Sequence, residues 1–274
     1  MARIESHRIE SHPSRIESHP SVSGAEPAVL DRLTAVRVRS IPVEISTRTK
    51  ARPSGATARA VVKRVIDVGV SAVGLVALLP LIALIALLVR IDSPGPTFIR
   101  CERVGWRGRN LQMLKFRKML DGAGGAALTL EGDERFTRVG RWLAKLKLDE
   151  IPQLWHVLGG EMSLVGPRPE SEMFVSLFRH DYDLILTARP GIVGFSQIAF
   201  VSEGRVLDHA DPIGDYVERI LPQKIAMDRL YVEEPGAMLD LRIFLWAIVA
   251  VLLRRPVAVD RVTGRLSLRQ RRVA

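Results

Sequence analysis

Cysteine is almost missing from these 274 residues: only Cys101 is present, which excludes an internal disulfide. Its surroundings read as a strand, so it is a small strand residue rather than a catalytic thiol. Aromatic residues are also sparse, with eight Phe and three Tyr spread along the chain. No clustered platform for stacking nucleic-acid bases emerges from them. Acidic residues are outnumbered 30 to 40 by Lys and Arg, for a formal net charge of +10, while 47% of the residues are hydrophobic. High apolarity combined with high basicity suits a protein held against an acidic surface, with anionic lipid, nucleotide phosphates and nucleic acid as the options. A secretory signal is not expected, because the first long apolar run follows Lys63-Arg64.

Residues 1–58 read as a disordered extension. Arg3-Ile4-Glu5-Ser6-His7 recurs as Arg8–His12 and Arg15–His19, a period too short for a solenoid. The histidines of these repeats could form a weak metal-binding tract, but low-complexity expansion is the favoured reading. Residues 59–92 form the membrane segment, in which Val68–Val89 carries no charge over 22 residues. A single span is one reading. A helix broken at Pro80 that enters and leaves by the same face is the preferred one, because Arg59, Lys63 and Arg64 precede the run and Arg90, Arg100 and Arg103 follow it. Each half, at roughly 18 Å, is too short to cross a bilayer core of roughly 30 Å.

Residues 93–258 read as a small, mainly helical α+β domain, and 259–274 as a basic tail. Thr97–Val104 and Asn110–Phe116 read as a strand pair joined through Gly105-Trp106-Arg107-Gly108. Helices are expected over Arg135–Leu146 and from Asp149 to Gly159-Gly160. Ile243–Leu253 is apolar but too short to span, so it either lies in the membrane interface or packs in the core.

Two short motifs could carry chemistry. Asp149-Glu150 reads first as a helix cap, with Pro152 tolerated in the first turn. The same placement suits an ionised carboxylate that attacks phosphorus, beside a second carboxylate that binds a divalent metal or moves a proton. Pro167-Arg168-Pro169 is either a surface turn or a rigid mount for a phosphate-binding guanidinium. Lys115, Arg117 and Lys118 add cations beside the expected hairpin, where a solvated or lipid-facing edge explains them equally well.

The ordered set of motifs resembles the bacterial sugar transferases, the monotopic phosphoglycosyl transferase family. The resemblance runs from about Lys63 to Arg255. Its markers are Lys63-Arg64-Val65-Ile66-Asp67, Ser93-Pro94-Gly95-Pro96, Lys115-Phe116-Arg117-Lys118-Met119, Gly132-Asp133, Leu148–Trp155, Met162–Pro169, Arg189-Pro190-Gly191-Ile192 and Leu239-Asp240-Leu241-Arg242. It implies the minimal catalytic form of the family, on the cytoplasmic face of a bacterial inner membrane, anchored by a re-entrant helix and interfacial amphipathic helices. It also implies a sugar phosphate passed from a nucleotide sugar to polyprenyl phosphate in two displacements. Asp149 would be the nucleophile and Glu150 its partner in metal or proton handling, with magnesium held by the pair. Lys115, Arg117, Lys145 and Arg168 would bind phosphate. The implied partners are both substrates, membrane lipid and other glycan-assembly enzymes, with no nucleic acid. The family commonly has arginine where Ala144 stands and serine where Lys147 stands, so Lys145 or Lys147 is expected to compensate. A catalytically degenerate scaffold and a membrane-anchored basic module that binds nucleic acid are the competing readings.

Overall fold

A computed structural model describes residues 56–124 and 128–269. The repeats of the N-terminal extension lie outside the described residues. The fold is α+β: one long apolar helix, several short helices, and three two-stranded sheets among the described residues.

Helix α1, Ala56–Asp92, is 37 residues long, or about 55 Å at helical rise. It is long and apolar enough to cross a membrane, and only 11% of its most apolar window is buried against protein. Leu79, Leu84 and Leu87, among others, point outward. The break expected at Pro80 is not seen. Helical structure continues on both sides of the proline, which removes one amide from the helix without ending it.

Both ends of α1 dock on the same globular body. At the start, Lys63 Nζ donates to Asp240 Oδ2 at 2.8 Å and to the Val165 carbonyl at 3.1 Å. Arg64 donates to the carbonyls of Val157 and Leu158. The buried Asp67 accepts from Ser163 Oγ at 2.8 Å and from the Leu164 amide at 3.2 Å. Near the end, Ile85 and Val89 pack with Phe116 and Leu143. Asp92 accepts from the Val139 amide at 2.8 Å, satisfying one of the free amides at the start of the next helix.

Strands β1 (Phe98–Val104) and β2 (Asn110–Phe116) pair antiparallel as expected, with Phe98 opposite Phe116. Helix α2, Arg138–Leu146, starts three residues later than expected because Thr137 caps it, accepting from the Gly140 amide at 2.9 Å. Lys147 ends it in the left-handed region (φ 56°), and Leu148–Gln153 follows as a 3-10 turn before α3, Leu154–Gly159. The helix expected to run from Asp149 is therefore two elements, as Pro152 cannot donate the bond a continuous helix needs.

Strands β3 (Ser163–Val165) and β4 (Gly191–Val193) are parallel. Beside them the chain crosses itself so tightly that a Cβ on Gly166 would lie 2.4 Å from the Arg189 carbonyl oxygen. Glycine alone permits this, and the crossing anchors Pro167-Arg168-Pro169, since the Gly191 amide donates to the Pro167 carbonyl at 2.8 Å. Helices α4 (Glu172–Leu177), α5 (Arg179–Ile185) and α6 (Phe195–Ala199) follow, then α7 (Pro212–Asp215), a π-helical turn over Tyr216–Ile220, and α8 (Leu221–Glu233).

Helix α9, Ala237–Val251, packs one side of its apolar run in the core and leaves the other side exposed. Ile243, Ala247 and Ala250 are buried with Phe195, Met227 and Tyr231, while Leu241, Leu245 and Ile248 are exposed. The region expected to be a basic tail is folded as far as it is described. β5 (Val257–Val259) and β6 (Leu266–Leu268) form a hairpin, because Val257 and Val259 have an apolar core to bury against.

Candidate active site

The αL residue Lys147 turns the chain so that Asp149 points into the protein. Asp149 is 1% exposed, yet neither of its carboxylate oxygens has a hydrogen-bond partner among the described residues. Lys118 Nζ lies 3.2 Å from Oδ2, close enough for ion pairing but out of line for a hydrogen bond. Capping is thereby removed as the role of Asp149, since a cap must accept from a backbone amide. A buried carboxylate in this state costs about 1–3 kcal/mol or more and marks a position kept for something other than stability.

Glu150, its neighbour, is fully engaged. Oε1 accepts from Lys115 Nζ at 2.9 Å and lies 3.9 Å from Arg168 Nη1. Burial alone would raise the pKa of Glu150, but Lys115, Arg168 and Lys147 outweigh it and hold the carboxyl well below the usual range. Arg168 shows the converse: burial would lower its pKa, and Glu150, Glu170 and Glu203 raise it. Lys147 is an exposed residue, but desolvation near its ammonium lowers its pKa, with Glu150 and Asp149 opposing the shift. Two carboxylates are thus set among four cations, Lys115, Lys118, Lys147 and Arg168, leaving an excess of positive charge for an anion.

Behind Arg168 lies a buried polar network that sequence reasoning missed. Lys224, 3% exposed, donates to Glu170 Oε1 at 3.2 Å, Glu203 Oε2 at 3.0 Å and Tyr216 Oη at 2.9 Å. Tyr216 Oη in turn donates to Glu170 at 3.0 Å. Lys224, Arg168 and Arg103 overcome the effect of burial on Glu170, keeping its pKa low. The π-helical turn that carries Tyr216 was the available signal only in structure, as Pro222 makes the helical pattern irregular in sequence. Asp228 Oδ2 lies 3.4 Å from the Arg168 amide, and burial pushes its pKa up to about 7 against the lowering effects of Ser196 and Lys224.

The expected site residues divide. Lys115, Asp149, Glu150 and Arg168 come together. Arg117 does not join them: its guanidinium donates to Ser93 Oγ at 2.7 Å, the Ser93 carbonyl at 2.8 Å and the Pro96 carbonyl at 2.6 Å, clamping the end of α1 to the hairpin. Lys145 is exposed, with Nζ 5.5 Å from the centre of the Trp142 ring, so Lys147 is the cation beside the acidic pair. Pro80 is exposed within α1 and touches none of these groups. Lys118 was visible only as part of a basic run; its proximity to Asp149 needed the fold.

Residues 58–254 match the bacterial sugar transferase family. The chain belongs to this family. A UDP-N-acetylgalactosamine-undecaprenyl-phosphate N-acetylgalactosaminephosphotransferase of Aeromonas hydrophila is 35% identical over 198 residues, covering 70% of this chain and 44% of that protein. A UDP-glucose:undecaprenyl-phosphate glucose-1-phosphate transferase of Caulobacter vibrioides is 35% identical over 227 residues, covering 79% and 81%. An exopolysaccharide production protein, ExoY, of Rhizobium meliloti is 34% identical over 240 residues, covering 81% and 98%. The chain thus spans less than half of the first relative and nearly all of the third.

Proposed function

We propose that this chain is a phosphoglycosyl transferase that moves a sugar-1-phosphate from a uridine nucleotide sugar to undecaprenyl phosphate, starting an exopolysaccharide-type glycan. The observation that carries this reading is the Asp149 carboxylate, buried without a hydrogen-bond partner among the described residues and with Lys118 at ion-pair distance. One Asp149 oxygen attacks the phosphorus that bears the sugar, and the bond to the nucleotide breaks, its electron pair leaving with nucleoside monophosphate. A phosphate oxygen of the polyprenyl carrier then attacks the same phosphorus, releasing the carboxylate and forming polyprenyl diphosphate sugar. The two displacements share one phosphate site, so a single cluster of cations serves both.

Lys115 and Arg168 place positive charge where phosphate oxygens would lie, and Glu150 holds both in register. Glu150, paired with Lys115, is better suited to organising cations than to accepting a proton. No group of three or more His, Cys, Asp or Glu ligands occurs among the described residues; Asp149, whose buried oxygens accept no hydrogen bond, is the residue that would contact magnesium. Bound there, the ion would neutralise diphosphate charge.

The attachment of both ends of α1 to one globular body supports placing both ends on the same side of the membrane, the cytoplasmic one in this reading, although α1 is not interrupted at Pro80. The exposed leucines of α9 suit the interface of the same leaflet. The functional test is release of nucleoside monophosphate from a panel of UDP-sugars by detergent-solubilised protein with magnesium and undecaprenyl phosphate. Release with one sugar, lost in Asp149→Asn, is expected; release undiminished in that variant would overturn the covalent route. For topology, tags at both chain ends should be shielded from external reagents in intact cells, and labelling of one end alone would indicate a span.

A further inference from the structure

The family match ends at residue 254, but the ordered chain does not. The β5–β6 hairpin that follows is fixed on its inner side. Val257 and Val259 are buried with Phe195 and Ala250, and a Cβ on Gly264 (φ 63°) would stand 3.2 Å from Phe195 Cζ. Its turn is braced from within, as Asp260 Oδ1 accepts from the Val262 amide at 3.0 Å, the Thr263 amide at 2.7 Å and Thr263 Oγ1 at 2.8 Å. The only carboxylate of residues 254–269 is therefore occupied by its own turn.

The outer side has a different composition. Arg254, Arg255, Arg261, Arg265 and Arg269 are all exposed. None forms an ion pair among the described residues. Set among them are large apolar side chains open to solvent: Val262 at 84%, Leu252 at 67% and Leu253 at 63%. Leu252 and Leu253 continue directly from α9, whose outer face is also apolar.

We infer that this hairpin is a docking surface for anionic bilayer lipid, with its arginines on headgroup phosphates and Val262 inserted at the headgroup–acyl boundary. Arginine suits this because its fork binds phosphate in two places while its stem lies along apolar surface. A nucleic acid would meet the same charge but leave Val262 and the leucines without an apolar partner, and the hairpin has no aromatic side chain on which bases could stack. A second copy would set five unpaired arginines against five more. The inference rests on membrane association of α1 and not on the chemistry of transfer, so its test reads no enzymatic activity.

The full chain, with Cys101→Ser and Val262→Cys, would carry an environment-sensitive fluorophore at position 262. It would be placed in nanodiscs of phosphatidylcholine alone or mixed with phosphatidylglycerol. With phosphatidylglycerol, emission should shift to the blue and be quenched by doxyl-labelled lipid. Arg261→Gln with Arg265→Gln should weaken this docking about thirtyfold, at about 1 kcal/mol for each arginine at an anionic surface. Emission characteristic of water in the phosphatidylglycerol discs would overturn the proposal. So would a blue shift without lipid quenching, which would indicate a second copy, or an equal shift when single-stranded DNA is added to phosphatidylcholine discs. In the unaltered chain, hydrogen exchange over residues 260–268 should slow with phosphatidylglycerol, and equal exchange in the two discs would count against docking independently of the label.

Discussion

Asp67 and Asp149 are two buried aspartates, 4% and 1% exposed, and they live in opposite circumstances. Asp67 lies in the seam that docks α1, where Ser163 Oγ and the Leu164 amide each give it a hydrogen bond. Asp149 lies beside Glu150 with no hydrogen-bond partner among the described residues and a lysine at ion-pair distance. Burial is therefore a poor guide to the role of a charge, and satisfaction is a better one. The docking seam satisfies Asp67 at both carboxylate oxygens, although Ser71 Oγ on the same helix is buried without a partner among the described residues. Around Asp149 a carboxylate is left poorly compensated, the state that its proposed role as nucleophile calls for.

Replacing each aspartate by asparagine should break the comparison most sharply. Asp149→Asn should lower sugar-phosphate transfer by at least about 10³-fold, with thermal stability unchanged or raised. Asp67→Asn should do the reverse, lowering stability by about 1–3 kcal/mol while folded protein keeps most of its transfer rate. Nucleoside monophosphate release and thermal melting in detergent would measure both, and equal phenotypes would erase the distinction.

The cations repeat the contrast. Lys115→Met should cut transfer by about 10²-fold, on the scale of a lost electrostatic contact at a reacting phosphate. Arg117→Met should act through melting instead, because its donors hold the Ser93 and Pro96 carbonyls and not the acidic pair. A large fall in transfer for folded Arg117→Met protein would return that residue to the site.

The last contrast is read only in the stability–pH profile and concerns Asp228, whose folded pKa of about 7 lies above its ordinary value of 3.8. Between those values the folded state holds the proton more tightly than the unfolded chain. Stability from this group is therefore full below pH 4 and falls as pH rises toward 7, by at most about 1.4 kcal/mol per pH unit. Asp228→Asn should flatten that part of the stability–pH profile, which denaturant titration at several pH values would reveal.

Much of this was legible before the fold was known. The strand pair, the apolar run of α1 and the acidic pair follow from alternation, composition and turn residues, which act locally. The site was only half legible. Lys115 and Arg117 are spaced two apart, so strand alternation would put both on one face. β2 ends at Phe116, and beyond it that geometry no longer applies. Lys145 and Lys147 likewise look equivalent in sequence, until the left-handed turn at Lys147 separates them. Lys224, Glu170 and Tyr216 have no shared spacing at all, and what unites them is a buried place behind Arg168.

By itself, then, the sequence determined an apolar helix with basic flanks, an acidic pair followed by a rigid arginine turn, and the ordered motifs of a sugar transferase. Those are properties of neighbouring residues, set by hydropathy and backbone preference. The tertiary structure alone decided which charges are satisfied and which are not. That depends on groups far apart in the chain, such as Asp67 and Ser163 or Lys118 and Asp149, and a partner's distance is not encoded in local spacing.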